Sequence, residues 1–187
     1  MKIIDSNFRD IDREIIKIED KNLIDKVGLD LSIPYYGVIY IDHRNGISLR
    51  ILGDDHNSLL FGEAHVLRYD DIKHLEVNSL DEYKDKDLVL KMINSYYLDE
   101  DINKIRDIKE LDKYRLRSNP DTLLVFIEKE NDGEEIWSLV MGYSNDGIVC
   151  GLLSDSKLYD NLLRGSTVVV KEDEELDRLK MIGRIDL

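Results

Sequence analysis

Three Asx-Gly dipeptides, Asn45-Gly46, Asp132-Gly133 and Asp146-Gly147, each stand between two runs rich in aliphatic and aromatic residues. Asx-Gly is the preferred two-residue turn of a β-hairpin, because both central positions need a positive φ that Asn, Asp and Gly reach at least cost. Any fold of this chain must therefore accommodate antiparallel hairpins. Counting outward from Asn45-Gly46 pairs Arg44 with Ile47 and Tyr40 with Ile51. That register puts Val38, Tyr40, Leu49 and Ile51 on one face.

The last third is built the same way. Strands are expected over 122–129, 135–143 and 148–153. The first turn pairs Phe126 with Leu139 and Leu124 with Met141; the second pairs Met141 with Leu152. Both faces of this meander are largely apolar, so cover on both sides is expected. Trp137 alternates with Leu139 and Met141, which reads as core packing, with an exposed anchor for a partner as the alternative. Ser166–Val170 is expected as a fourth strand, and residues 173–180 as a closing short helix.

Helical spacing of Phe8, Ile11, Ile15 and Ile18 predicts a helix over 7–19. Strands over 58–68 and 72–77, turning at Asp70-Asp71, would face Val66 with Leu75 and Ala64 with Val77; Asp70 capping a short helix is the alternative. A helical pair follows, over 80–97 behind a Ser79–Glu82 capping box and over 102–116 with Ile102, Ile105, Ile108 and Leu111 on one side. Asn119-Pro120 ends it. The expected class is thus α+β: an N-terminal helix with antiparallel hairpins, a central helical pair, and a C-terminal antiparallel β-meander. Modules 1–117 and 118–187 either stand separately or share one core.

The 187 residues are 42% hydrophobic and 35% charged, with a formal net charge of −14. Phosphate affinity comes from Lys and Arg releasing counterions, so nucleic acid is a poor partner. Anionic membranes are disfavoured for the same reason. A basic protein is favoured, although surplus acidity also serves solubility alone. One cysteine excludes an internal disulfide. No run is apolar enough for a leader or a membrane span, so a cytoplasmic chain is expected.

Chemistry-bearing motifs are sparse. Neither a Gly-x-Ser-x-Gly elbow nor a Gly-rich phosphate loop occurs. In the 58–77 hairpin register, His65 would face Glu76, with His74 diagonal and Glu63 on the same face, a set able to bind zinc; a solvated sheet face explains the same residues. Asp54-Asp55-His56 reads as a polar loop tip or a hydrolytic metal site. Cys150, inside a strand, reads as a buried inert thiol. No cofactor and no metal is expected. Acidic clusters remain at Asp99–Asp101, Glu128–Glu135 and Glu172–Glu175. From these, Glu134, Glu135, Glu172, Asp173, Glu174 and Glu175 are the candidate partner-binding residues.

The C-terminal third carries Glu134-Glu135-Ile136-Trp137, Gly151-Leu152-Leu153, Leu162-Leu163-Arg164-Gly165, Val168-Val169-Val170 and Asp177. This pattern resembles the YegJ-like family of bacterial domains, with Ser154-Asp155-Ser156 standing where that family has Asn-Glu-Pro. The resemblance implies a small β-rich module with no catalytic residue to carry over, of a kind found among immunity proteins that neutralise bacterial toxins. The expected function is an acidic protein-binding protein, an immunity or inhibitor protein for a basic toxin. The alternatives are a structural or regulatory module, and a metal-assisted hydrolase using His56, His65 or His74.

Overall fold

The computed structural model describes residues 1–54, 65–80, 83–95 and 100–185. The chain divides into two compact units, Met1–Leu98 and Asp99–Leu187.

The first unit opens with a 3₁₀ turn (Ile3–Asp5) and one helical turn, α1 (Phe8–Ile11), whose Asn7 cap accepts the Arg9 N–H at 2.9 Å. The helix predicted over 7–19 goes no further. Arg13 adopts φ 66°, and Ile15–Ile18 form a strand, β1. Ile15, Ile16 and Ile18 are all buried because the sheet is covered on both faces, and such a strand mimics helical spacing. After α2 (Lys21–Lys26) come β2 (Tyr35–Asp42), β3 (Gly46–Asp54), β4 (Val66–Arg68), α3 (Tyr69–Ile72) and α4 (Lys86–Asn94). The sheet order is β1-β2-β3-β4, antiparallel throughout. One face packs Ile39, Leu49 and Ile51 against Ile3, Ile11, Leu23, Ile24 and Ile72. The other packs Ile15, Val38 and Leu52 against Val89 and Ile93 of α4.

The β2–β3 register corrects the expected one. Asp42 pairs with Gly46, Tyr40 with Ser48 and Val38 with Arg50. His43, Arg44 and Asn45 form the turn, and Gly46, at φ 75°, is the first residue of the returning strand. The Asp42 carboxylate accepts the Arg44 N–H at 3.0 Å, the Asn45 N–H at 2.9 Å and the Asn45 carboxamide at 3.0 Å, which fixes the longer turn. The register moves by an odd number of residues, so Tyr40 shares a face with Arg50 rather than with Leu49 and Ile51.

The hairpin expected at Asp70-Asp71 is replaced by the short helix α3, with Arg68 rather than Asp70 at its N-cap. Asp71 accepts the Arg68 N–H at 3.3 Å, and Asp70 pairs with Lys73 at 3.1 Å. Leu75 and Val77 instead bond the N-terminal segment, through Ile3 N–H to the Leu75 carbonyl and Val77 N–H to the Met1 carbonyl. Residues 58–64 of the expected strand, and Asp81 and Glu82 of the expected cap, lie outside the described residues.

In the second unit, α5 (Glu100–Arg106), a 3₁₀ segment (Lys109–Tyr114) and the short β5 (Arg115–Leu116) precede β6 (Asn119–Lys129), β7 (Asp132–Ser144), β8 (Gly147–Leu152), β9 (Thr167–Asp173) and β10 (Arg178–Ile185). The expected meander is a closed barrel. Strands β6 to β10 pair antiparallel in sequence, and β10 returns to β6 through Leu179–Val125 and Lys180–Phe126. Alternating strand directions make the first and fifth strands run the same way, so this closing pair is parallel. The helix expected over 173–180 is instead the β9–β10 turn, with Asp177 at φ 49°, followed by β10. The interior is filled by Leu123, Val125, Ile127, Ile136, Val140, Ile148, Cys150, Leu152, Val168, Val170 and Leu179, as a barrel this narrow requires.

Both Asp-Gly turns are displaced. Lys129 pairs with Asp132, so the first turn is Glu130-Asn131. Gly133 lies under the Phe126 ring, where a Cβ would come within 2.1 Å. Ser144 pairs with Gly147, so Asn145-Asp146 is the second turn. A Cβ on Gly147 would stand 2.4 Å from the Val170 carbonyl. In both hairpins the glycine admits a neighbour against the returning strand instead of shaping the turn.

The division between units falls ahead of the boundary expected at 117/118. Ile102, Ile105, Leu111 and Tyr114 belong to the barrel core, so the second half of the expected helical pair goes with the barrel. That half is held by a buried ion pair. Arg106, 8% exposed, meets Asp121, 1% exposed, through two bonds of 2.8 and 2.5 Å. Removing one member of such a pair strands a buried charge. Asp121→Asn is expected to destabilise the barrel unit by about 3–5 kcal/mol, whereas the double change Arg106→Met with Asp121→Leu is expected to lie near wild type, both read by denaturant unfolding.

Candidate functional site

Two surfaces stand out, one in each unit. The first is a pocket of about 420 Å³ beside the β2–β3 turn, lined by Tyr40, Ile41, Asp42, His43, Arg44, Asn45, Arg50, Val66 and Arg68. The observed register creates it: Tyr40, Ser48, Arg50 and Arg68 fall on one sheet face, the face on which Tyr40 and Val66 join the cluster of Val89 and Ile93 from α4. Arg50 is only 7% exposed. Tyr40 is buried, which raises the pKa of its hydroxyl, and it is hydrogen-bonded to Arg50. Arg68 donates to Ser48 Oγ at 2.9 Å and pairs with Asp42 at 3.5 Å. Burial pushes the Asp42 carboxyl up, but the Asn45 and Arg44 donors and the Arg68 charge bring it below the usual carboxylate range. The sequence does not mark these residues as a site, because the two-residue turn puts Arg50 on the face away from Tyr40. Asp42, three residues before Asn45, is the signal that distinguishes the longer turn.

The second surface is the outside of the barrel. Ile136, Ser138 and Val140 point inward from β7 and are buried. Trp137, Leu139 and Met141 therefore point outward, which corrects the core reading and selects the exposed-anchor alternative for their placement. Trp137 is 38% exposed and Met141 49%. Leu124 lies beside Trp137 in the β6–β7 register, and the Leu153 N–H donates to the Trp137 carbonyl at 3.0 Å. Leu153 is itself 41% exposed. Met141 lies over Gly151, whose missing side chain makes room for it. An apolar strip thus crosses β6, β7 and the end of β8, with Glu135 exposed on the Trp137 side of β7.

The six candidate acidic residues fall in two groups. Glu134 and Glu135 open β7, and Glu172–Glu175 run from the end of β9 into the β9–β10 turn, two strands from β6 by way of β10, with Arg178 lying between Asp173 and Glu128 of β6. Glu134 accepts the Ser156 hydroxyl, the Lys157 N–H at 3.0 Å and the Leu158 N–H at 3.3 Å, so it ties the β8–β9 loop to the barrel. Glu172 pairs with Lys113 at 3.0 Å and Asp173 with Arg178 at 3.7 Å. Glu135, Glu174 and Glu175 are exposed and make no ion pair among the described residues.

The histidine set does not assemble. His65 directly precedes β4, His74 is exposed after α3, and Glu76 bridges to Lys2. Among the described residues no group of three His, Cys, Asp or Glu could hold a metal ion. His56 and Glu63 lie outside the described residues. No helix among the described residues is long and apolar enough to cross a membrane.

Cys150 is fully buried in β8, and desolvation pushes its thiol up to about 12. As the chain's one cysteine it reports on barrel opening. It is expected to resist a thiol-reactive dye at pH 8 in the native protein and to react within the mixing time once unfolded, followed by absorbance.

Comparison with protein-family models, with curated proteins and with solved structures finds no match to this chain.

Proposed function

We propose that the chain is a protein-binding protein whose docking face is the outer strip of the barrel, with Trp137 as its anchor. The observation that carries this reading is the placement of Trp137, Met141 and Leu153 on the exposed outer side of β7 and β8, while smaller aliphatic residues fill the interior. A folded monomer gains nothing by leaving its one tryptophan half outside water's exclusion, whereas a partner that covers it gains a large, rigid apolar contact. Aromatic and methionine side chains are the types enriched in the centres of interfaces.

The partner's chemistry follows from charge. A net charge of −14 draws a basic protein into encounter and rejects acidic ones. Glu135, beside the strip, adds a short-range contact for a Lys or Arg of that partner. Glu174 and Glu175, in the β9–β10 turn, add to the long-range field, and Glu134 is occupied by its own loop. Inhibition of a basic toxin is the form of this function that fits best, because a nuclease-like toxin must itself be cationic to hold phosphate. Cytoplasmic residence accompanies that reading.

The test is capture from the native host with the tagged full chain, beside Trp137→Ala and Glu135→Lys. The expected partner is basic, and is held about 30-fold more weakly by Trp137→Ala, the loss typical of an interface anchor. Glu135→Lys should slow association and reduce its salt dependence. Trp137 emission should shift to shorter wavelength in the complex. Co-expression should then protect cells from that partner. An acidic partner, or retention that Trp137→Ala leaves unchanged, would overturn the proposal.

A further inference from the structure

We propose that the β8–β9 loop is the second half of the docking face, and that Glu134 is the positioning residue that holds it there. This rests on the reading of Trp137 as the anchor for a basic partner. The other hairpins of the barrel turn tightly, at Glu130-Asn131, at Asn145-Asp146 and over residues 174–177. Strands β8 and β9 are also antiparallel neighbours, with Gly151 opposite Thr167, yet the chain between them runs over residues 153–166. A connection longer than about 12 residues with no helix or strand of its own is uncommon, and is usually either functional or disordered.

This one is ordered. Its neck is closed by the Leu152 N–H to the Ser166 carbonyl at 3.0 Å, the Gly165 N–H to the Leu152 carbonyl at 2.8 Å and the Arg164 N–H to the Asp155 carboxylate at 2.7 Å. Leu162, 3% exposed, enters the barrel core. The Lys129 ammonium donates to the Leu158 carbonyl, and the Tyr159 hydroxyl to the Glu128 carbonyl, both at 2.8 Å. Glu134 is the centre of this array. Its Oε1 accepts the Ser156 hydroxyl, the Lys157 N–H at 3.1 Å and the Leu158 N–H at 3.3 Å. Ordering so long a loop costs chain entropy that a tight turn would not. These contacts offset the cost and give a compact loop with closed ends, a form that frequently carries function.

Its position says which function. The Leu153 N–H donates to the Trp137 carbonyl at 3.0 Å, so the neck lies beside the anchor. Two exposed leucines stand on that neck, Leu153 on one side and Leu163, 54% exposed, on the other. The apolar strip of Trp137 and Met141 therefore continues onto the loop. One tryptophan does not fix a partner's orientation on the outside of a barrel. A loop ordered in advance supplies a second contact at little entropic cost on binding. The occupant is the same cationic protein, selected by the net charge of −14 and by Glu135, exposed next to Glu134.

The experiment compares the full chain with Glu134→Ala, Glu134→Gln and Leu163→Ser, by amide hydrogen exchange and by affinity for the basic protein that the wild-type chain captures. In Glu134→Ala the amides of residues 156–162 are expected to exchange about ten-fold faster, with those of the barrel strands unchanged, and the partner to be held about ten-fold more weakly. Glu134→Gln keeps an Oε1 acceptor for all three donors and should stay within about three-fold of wild type in both readouts. Leu163→Ser should cost about ten-fold in affinity with no change in exchange. Should Glu134→Ala unfold, Ser156→Ala takes its place, since the Ser156 hydroxyl joins Glu134 to the Leu158 and Tyr159 N–H groups. A loop that stays protected in Glu134→Ala, or binding indifferent to Glu134→Ala or to Leu163→Ser, would overturn this inference; if Trp137→Ala still weakened the complex, the docking reading would stand without it. Equal losses in Glu134→Gln and Glu134→Ala would make Glu134 a direct charge contact and end its positioning role. A wild-type chain that captures no basic protein would sink both.

Discussion

Side chains alternate across a β-strand with a period of two, so the length of each hairpin turn decides which residues face inward. Both candidate surfaces depend on that parity. In the first unit, Asp42 accepts three hydrogen bonds from the residues it precedes, which makes the turn three residues long. That length places Ser48 and Arg50 opposite Tyr40 and Val38, and turns Leu49 and Ile51 to the other face. A two-residue turn at Asn45-Gly46 would leave Arg50 and Arg68 together, because the β3–β4 register joins them, but on the face away from Tyr40.

The second unit obeys a further constraint. Five strands that alternate in direction can close only through one parallel pair, and β6–β10 is that seam. The narrow interior selects Ile, Val and Leu, and leaves Trp137 and Met141 outside. At the β6 end, Arg106 and Asp121 tie α5 to the barrel, and Arg115 donates to the Ile105 carbonyl at 2.6 Å. At the other end, Glu134 gathers the backbone of Lys157 and Leu158, so a residue that reads as surface acid works as a loop anchor.

Much of this architecture was legible as pattern. The strands β2, β3, β6, β7, β8 and β9 and the apolar side of α5 coincide with runs of aliphatic residues whose spacing is distinctive. Three features were not legible, each for a stated reason. Ile15–Ile18 satisfies helical and doubly buried strand spacing equally, and only the break at Arg13 decides. The 173–180 segment is highly charged, and its strand character comes from pairing with β9 and β6, not from its own residues. The glycines of the hairpins mark close approaches, at Gly133 under Phe126 and at Gly147 beside Val170, so they displaced the counted registers. In the barrel the displacement was by an even number along β6–β7, and the faces survived; in β2–β3 it was odd, and the arginine pocket was hidden.

The β2–β3 register is therefore the claim on which the account of the first unit turns, and NMR measures it directly. Through-space proton contacts are expected to join Tyr40 to Ser48 and Val38 to Arg50 across the two strands. Contacts joining Tyr40 to Ile51 would contradict it, because they belong to a hairpin in which Arg50 faces the opposite side of the sheet.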